Sequence, residues 1–151
     1  MQNDKFKLIT SVYLLLMRDS KIYLQKRKGT GFRDGQWGLV AGHHDGGESL
    51  RFAMIREAKE EADIDIAESD LEFVHILHKK ENDERLEVFF SCKIWKGKPR
   101  IAEPHKVEDV GWFEVDDLPE RTIDYIEYVI KKVDEGMYYS EYGFEHSMEL
   151  E

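Results

Sequence analysis

The sequence is poor in cysteine and has no long apolar run, and each deficit excludes a class of protein. Cys92 is the only cysteine among 151 residues, so no intrachain disulfide can form. A chain of this length buries roughly 68–70% of the surface of its unfolded form, so it needs neither disulfides nor a structural metal to fold. The longest apolar run, Val12 to Met17, has the length of a strand. It is far shorter than the roughly 18 residues of a membrane span.

Basic residues are also scarce relative to acidic ones. Lysine and arginine number 22 against 32 aspartates and glutamates, which gives a net charge of −10 at pH 7. Sequence-independent binding to nucleic acid depends largely on phosphate neutralisation by basic side chains. We therefore expect no nucleic-acid partner and no membrane association. The charged N-terminus without an apolar core, together with the single cysteine, predicts a reducing, cytoplasmic location.

The chain has no linker-like segment, internal repeat or low-complexity tract. We therefore expect one domain over residues 1–151, with a core at about 7–135 and a tail at 136–151. The tail has no clear period and is assigned no role; capping of a pocket, dimer contacts and disorder all stay open. Its last two residues, Leu150 and Glu151, resemble a tag remnant. The expected state is a monomer or a homodimer.

Alternation of apolar and polar residues predicts two hairpins. The first pairs residues 8–17 with 21–27, and the second pairs 71–78 with 86–95. A shorter strand is predicted at 110–115. Apolar residues spaced by three and four predict helices at 49–62 and 123–133. Strands mixed with two helices indicate a sheet with one helix on each face.

The first predicted helix has an inward stripe that changes from apolar to acidic. Leu50 and Met54 begin this stripe, and Ile64 ends it. The carboxylates between them are Glu57, Glu60 and Glu61. Like charges three and four residues apart repel on one helix face, and more strongly when partly desolvated. Since Mg²⁺ binds carboxylate oxygens and substrate phosphates together, the stripe predicts a divalent cation site. The alternative is a solvated acidic face.

The loop before this helix is rich in glycine, which brings the backbone close to a ligand. Glu48 follows Gly42 after five residues, and after seven more the segment 56–61 begins with Arg56. This spacing resembles the signature of the Nudix hydrolases, G-x5-E-x7-R-E-U-x-E-E-x-G-U, where U is apolar, and the resemblance extends over about residues 7–135. Asp63 stands where the signature has glycine. Because Asp tolerates left-handed backbone better than most residues, we expect a modest stability cost and no loss of chemistry.

The resemblance implies an α/β/α sandwich with a mixed sheet, an α/β fold. It also implies hydrolysis of a nucleoside diphosphate linked to a further group X, with Mg²⁺ or Mn²⁺ as cofactor. The matching Glu57, Glu60 and Glu61 would bind the metal, with the Gly42 carbonyl in its shell. Arg56 would orient these carboxylates, and Glu48 would support the site through Arg56 or the helix. Glu57 is our candidate for the general base or for the residue that positions the attacking water. A further ligand is expected from Glu103 or Glu108; for each, a surface charge is the alternative.

Three side chains outside the acidic stripe are candidates for substrate contact. Arg27 ends the second strand, where similar sequences place a basic residue on phosphate; the alternative is a surface arginine. Phe32 is a candidate for stacking on a nucleobase, and His43 for touching the substrate. His75 is predicted to be structural, and Cys92 is predicted to be a buried thiol.

Three functions compete on this evidence. The first is a MutT-type pyrophosphohydrolase that converts a nucleoside or deoxynucleoside triphosphate into the monophosphate, which the compact size favours. The second is hydrolysis of ADP-ribose or a nucleotide sugar. The third is a nucleotide-binding sensor without turnover, which the intact acidic cluster disfavours.

Overall fold

The computed structural model describes residues 4–145, and within this range it contains eight strands and two α-helices. The elements are β1 (Ile9–Arg18), β2 (Lys21–Arg27), β3 (Trp37–Gly38), β4 (Val40–His43), α1 (Leu50–Ala62), β5 (Leu71–Lys80), β6 (Glu84–Cys92), β7 (Val107–Glu114), α2 (Asp124–Asp134) and β8 (Tyr139–Tyr142). Both predicted hairpins are confirmed, as β1–β2 and β5–β6. Each helix begins and ends within one residue of its predicted bounds.

The eight strands form one mixed sheet, in which six follow the order β3-β2-β1-β6-β5-β8, β4 pairs with β1 and β7 pairs with β2. The β1–β6 and β5–β8 pairs are parallel, whereas the other pairs are antiparallel. One edge of β1 is divided between two partners. Residues 11–14 pair with β4, and residues 17 and 18 pair with β2. This division leaves a gap between β2 and β4 along the edge of β1.

Each face of the sheet is covered by one helix. On one face, Val12 and Leu14 of β1 pack in a core with Met54 of α1. On the other face, Tyr13 of β1 packs in a second core with Ile126 of α2. Successive residues of a strand point to opposite faces, so β1 contributes to both cores, which explains why its sequence is apolar throughout. The α/β/α sandwich with a mixed sheet is thus confirmed.

The sheet extends beyond the expected core limit at about residue 135. Residues 139–142 form β8, which pairs in parallel with β5. The connection is fixed by His75, which is buried; its Nδ1 lies 2.8 Å from the Met137 carbonyl and its Nε2 lies 2.7 Å from Ser140 Oγ. The structural role predicted for His75 is confirmed, and Cys92 is a buried free thiol, as expected. The proposed tag remnant at Leu150 and Glu151 lies outside the described residues.

Helix α1 has a distinct cap at each end. At its start, Ser49 Oγ accepts a hydrogen bond of 3.1 Å from the Phe52 amide. At its end, Asp63 adopts the left-handed conformation expected of it, with φ 56° and ψ 41°. Its carboxylate lies 3.2 Å from Lys59 Nζ and 3.0 Å from Arg100 Nε, and these contacts lower the pKa of Asp63. The helix therefore ends at the position where the signature has glycine.

No helix among residues 4–145 combines the length and the apolar character needed to cross a bilayer.

Candidate active site

Glu61 extends from α1 into the gap between β2 and β4. Its Oε1 accepts hydrogen bonds from Gln25 Nε2 of β2 at 3.0 Å and from the Ala41 amide of β4 at 3.1 Å. Burial, together with the charges of Glu57 and Glu103, raises the pKa of Glu61 to about 7. The carboxylate is therefore held in place by both strands in an environment that disfavours its charge.

Glu57 packs directly against the backbone of β4. A Cβ atom added to Gly42 would lie 2.0 Å from Glu57 Cδ, so any larger residue at position 42 would clash with the carboxylate. The Glu57 side chain is only 12% exposed. Burial raises the pKa of this carboxyl group, and the neighbouring Arg56 guanidinium opposes the rise. The backbone of Gly42 is not in the left-handed region, so its conformation does not require glycine. Glycine is needed at this position because it leaves space for the Glu57 side chain.

Arg56 links the loop before α1 to the acidic stripe. It binds Glu48 through two bonds, Nε to Oε1 at 3.1 Å and Nη2 to Oε2 at 2.7 Å. Its Nη1 donates to Glu57 Oε1 at 2.8 Å and lies 3.6 Å from Glu60 Oε2. A bidentate arginine–carboxylate pair fixes orientation as well as charge. The geometry agrees with the orienting role expected for Arg56 and with support from Glu48 through Arg56.

Glu60 departs from the inward orientation expected of the stripe, because its side chain is 51% exposed. Consecutive residues of an α-helix are about 100° apart, so Glu60 lies at the solvent side when Glu61 faces the sheet. The two candidates for a further ligand also differ in position. Glu103 raises the pKa of both Glu57 and Glu61 through its charge, whereas Glu108 is exposed on β7.

Arg56 balances the charge of Glu57, whereas Glu61 accepts hydrogen bonds, within the described chain, only from the uncharged amides of Gln25 and Ala41. Within residues 4–145, no three acidic, histidine or cysteine side chains converge closely enough to hold one ion as they stand. The donor chemistry nevertheless fits a hard divalent cation. The groups are carboxylates whose charged forms are disfavoured first by burial and then by neighbouring negative charges, and a cation would favour those charged forms.

The carboxylates stand at one side of a cavity of about 790 Å³. Arg27, Phe32 and His43, the three residues predicted to contact substrate, all line it. Arg27 Nε donates to the Phe32 carbonyl at 2.8 Å, which fixes the guanidinium in the wall. His43 Nε2 lies 3.1 Å from Arg85 Nη1. The cavity is within the usual size range of small-molecule sites.

Sequence reasoning missed several buried polar residues around this cavity. Gln25 of β2 binds Glu61, and Lys79 and Glu87 are almost wholly buried on β5 and β6. Lys79 lies just beyond the strand predicted at 71–78, but β5 continues through it. The register partner of Lys79 on β6 is Arg85, and Glu87 lies two residues further along the same strand. Lys79 and Glu87 are therefore diagonal neighbours of opposite charge, and this is the one sequence signal that links them.

The chain as a whole, rather than the site alone, was compared with known proteins. Residues 7–132 match the model of the NUDIX domain. The chain belongs to the NUDIX family. A NAD-capped RNA hydrolase, NudC, from Stutzerimonas stutzeri (strain A1501) is 27% identical over 119 residues. This match covers 75% of the present NUDIX chain but only 39% of that relative.

Solved structures give the same picture of the fold. A MutT NUDIX hydrolase from Burkholderia pseudomallei is 25% identical, with a TM-score of 0.78 over 85% of this chain and 99% of that one. A MutT protein from Methanosarcina mazei Go1 is 18% identical, with a TM-score of 0.74 over 89% of this chain and 97% of that one.

Proposed function

We propose that this NUDIX chain is a metal-dependent pyrophosphohydrolase that cleaves a nucleoside or deoxynucleoside triphosphate into the monophosphate and pyrophosphate. The observation that carries the proposal is the placement of Glu57 and Glu61. Both carboxylates are held by α1 against β4 at the edge of a cavity large enough for a nucleotide. The two half-buried acids carry like charges, and the charge of Glu57 raises the pKa of Glu61.

The residues that would hold Mg²⁺ or Mn²⁺ are Glu57, Glu60 and Glu61, with the Gly42 carbonyl. We add Glu103 in preference to Glu108, because the charge of Glu103 acts on the half-buried carboxylates of Glu57 and Glu61. The bound cation would neutralise the phosphate oxygens and lower the pKa of an attacking water.

The protein's own groups have separate tasks in this proposal. Glu57 accepts the proton of the attacking water, and its raised pKa brings it closer to the operating pH, where a general base is most effective. Arg56 holds only Oε1 of Glu57, so Oε2 takes no part in that bond. Arg27 adds a positive charge to the cavity wall, which an anionic substrate needs in a chain of net charge −10.

A second candidate is hydrolysis of a dinucleotide or another nucleoside diphosphate linked to X, such as ADP-ribose or a nucleotide sugar. The NudC relative is a hydrolase of NAD-capped RNA, and this activity favours the second candidate. The two candidates differ in products, because a triphosphate yields pyrophosphate and a dinucleotide yields two monophosphates.

The test is a substrate panel at mildly alkaline pH with Mg²⁺ or Mn²⁺, including ribo- and deoxynucleoside triphosphates, ADP-ribose and NAD, with products separated by ion-exchange chromatography. We expect turnover of at least one triphosphate with release of pyrophosphate. Glu61→Gln should abolish turnover, while Glu72→Gln, at an exposed position on β5, should retain it. Tight nucleotide binding without turnover on the whole panel would overturn the proposal in favour of a sensor.

A further inference from the structure

The side-chain oxygen of Gln25 is a buried acceptor that has no hydrogen-bond partner among residues 4–145. Gln25 is only 4% exposed, and it lines the cavity. Buried polar atoms in native proteins are nearly always paired, so an unpaired oxygen at the cavity wall calls for an explanation. Such an oxygen is satisfied either by a hydrogen-bond donor or by a cation.

Glu61 sets the orientation of the Gln25 amide group. Gln25 Nε2 donates to Glu61 Oε1 at 3.0 Å, and an ionised carboxylate only accepts hydrogen bonds, so the nitrogen and not the oxygen of the amide faces it. The Ala41 amide donates to the same Glu61 Oε1 at 3.1 Å. Two oxygen atoms of adjacent side chains, Gln25 Oε1 and Glu61 Oε2, therefore stay outside these bonds.

The described neighbours of Gln25 Oε1 do not provide a donor for it. The nearest hydroxyl along the same face of β2 is that of Tyr23, which is also unpaired within residues 4–145 and so does not donate to Gln25. Glu57 and Glu103, whose charges act on Glu61, are acceptors when they are ionised. A group of acceptors without a donor suits a cation, and carboxylate and amide oxygens are the ligands that suit Mg²⁺ and Mn²⁺.

We propose that Gln25 is a ligand of the divalent cation in this chain, with Oε1 binding the ion while Nε2 holds Glu61 beside it. The inference rests on the proposed function for the use that is made of the ion. It adds a neutral ligand from β2 to the carboxylates of α1. A neutral oxygen adds to the shell of the ion without adding to the negative charge of the stripe.

The position of Gln25 also brings the ion close to the substrate side of the cavity. Gln25 and Arg27 are two residues apart on β2, and both line the cavity. An ion held by Gln25 is therefore on the same wall as the guanidinium that we assign to the anionic substrate. Mg²⁺ in proteins is typically shared between carboxylates and substrate phosphates, which this placement allows.

The test measures Mn²⁺ binding to the nucleotide-free protein at pH 8 by electron paramagnetic resonance, in wild type, Gln25→Met, Gln25→Glu and the control Gln36→Met. Methionine has the length of glutamine but neither its oxygen nor its N–H groups. We expect Gln25→Met to weaken binding by about tenfold or more. Gln25→Glu keeps an oxygen and adds a negative charge, so it should tighten binding by about threefold or more. Gln36 precedes β3 and is outside the described lining of the cavity, so Gln36→Met should match wild type.

The two Gln25 variants separate a ligand from a residue that acts only through Glu61. If Gln25 served only to hold Glu61 through Nε2, both variants would weaken Mn²⁺ binding, and this result would overturn the inference. Equal affinity in wild type and Gln25→Met, or no Mn²⁺ binding by wild type, would also overturn it. Thermal unfolding in EDTA checks that each variant is folded. Should Gln25→Met not fold, Gln25→Glu decides: tighter binding supports the inference, and equal or weaker binding overturns it.

The outcome for Gln25 is independent of the outcome for the reaction. If the Mn²⁺ affinities follow the expected order but the substrate panel shows no turnover, the proposed function fails and Gln25 stays a ligand of the ion. If the panel shows turnover while Gln25→Met binds Mn²⁺ as wild type does, the inference fails and the proposed function stands.

Discussion

Replacement of Glu61 by glutamine tests the energetics of the acidic stripe most directly. Glutamine keeps an oxygen at the Oε1 position, so the hydrogen bonds from Gln25 and Ala41 can persist. The new amide group is uncharged, so the negative charges of Glu57 and Glu103 no longer oppose it. The substitution therefore removes a buried negative charge with little change in shape.

The expected size follows from the pKa of Glu61, which is about 7 in the folded protein against an ordinary value of 4.5. The difference of 7 − 4.5 = 2.5 pKa units corresponds to about 3 kcal/mol. The folded state binds this proton more tightly than the unfolded state does. The group is therefore neutral without penalty below pH 4.5, and the free energy of unfolding falls as pH rises from 4.5 through 7. At pH 8 the folded protein bears the full cost of the charge.

Urea denaturation in EDTA at pH 5 and pH 8 measures this effect. We expect Glu61→Gln to be more stable than wild type at pH 8 by up to about 3 kcal/mol, and the two to converge at pH 5. Glu72→Gln should follow wild type at both values. Added Mg²⁺ should stabilise wild type at pH 8 but not Glu61→Gln. A Glu61→Gln protein less stable than wild type at pH 8 would refute the reasoning, since Glu61 would then be a stabilising ion.

Three further predictions concern single positions. Glu103→Gln should reduce activity about 10- to 100-fold, as expected for a group that supports the metal, whereas Glu108→Gln should stay within about threefold in steady-state kinetics; equal effects would contradict the choice of Glu103. Gly42→Ala should cost about 1–3 kcal/mol in urea denaturation and at least tenfold in Mg²⁺ affinity, because its Cβ would lie 2.0 Å from Glu57 Cδ; unchanged affinity would contradict the close contact. Asp63→Gly should change Tm by less than about 3 °C, since relief at φ 56° offsets two exposed ion pairs; a larger loss would assign Asp63 a stronger structural role.

The sequence predicts the elements with strong periodic patterns and misses the others. The long strands β1, β2, β5 and β6 and both helices are found, with bounds that shift by three residues at most. The two- and four-residue strands β3 and β4 are too short to show a period of two. Strand β8 lies in a tail of tyrosine and acidic residues, and its pairing with β5 is long-range. The parallel β1–β6 pairing is also long-range, so no local pattern can specify it.

The candidate site was predictable where chemistry depends on spacing along one helix. Glu57 and Glu61 are four residues apart, and both are half-buried on the same side of α1. Glu60 belongs to the same motif but lies towards solvent. The prediction was wrong for Glu60 because it treated every residue spaced by three or four as facing inward. The hydrogen bond between Gln25 and Glu61 joins β2 to α1. It follows from the way the β1 edge is divided between β2 and β4, and no sequence motif predicts it.

The residues that sequence reasoning missed are polar side chains that the alternation of a strand assigns to solvent. In β6, Leu86, Val88 and Phe90 alternate with Glu87, a pattern typical of a strand covered on one face only. The structure covers both faces, since α2 and the cavity wall lie over the second one, and Glu87 is wholly buried. Alternation reports the polarity of a side chain and not its exposure. A polar residue on a covered face therefore depends on neighbours that no strand pattern shows: burial raises the pKa of the Glu87 carboxyl group, and Tyr13, Lys79 and Arg85 oppose the rise.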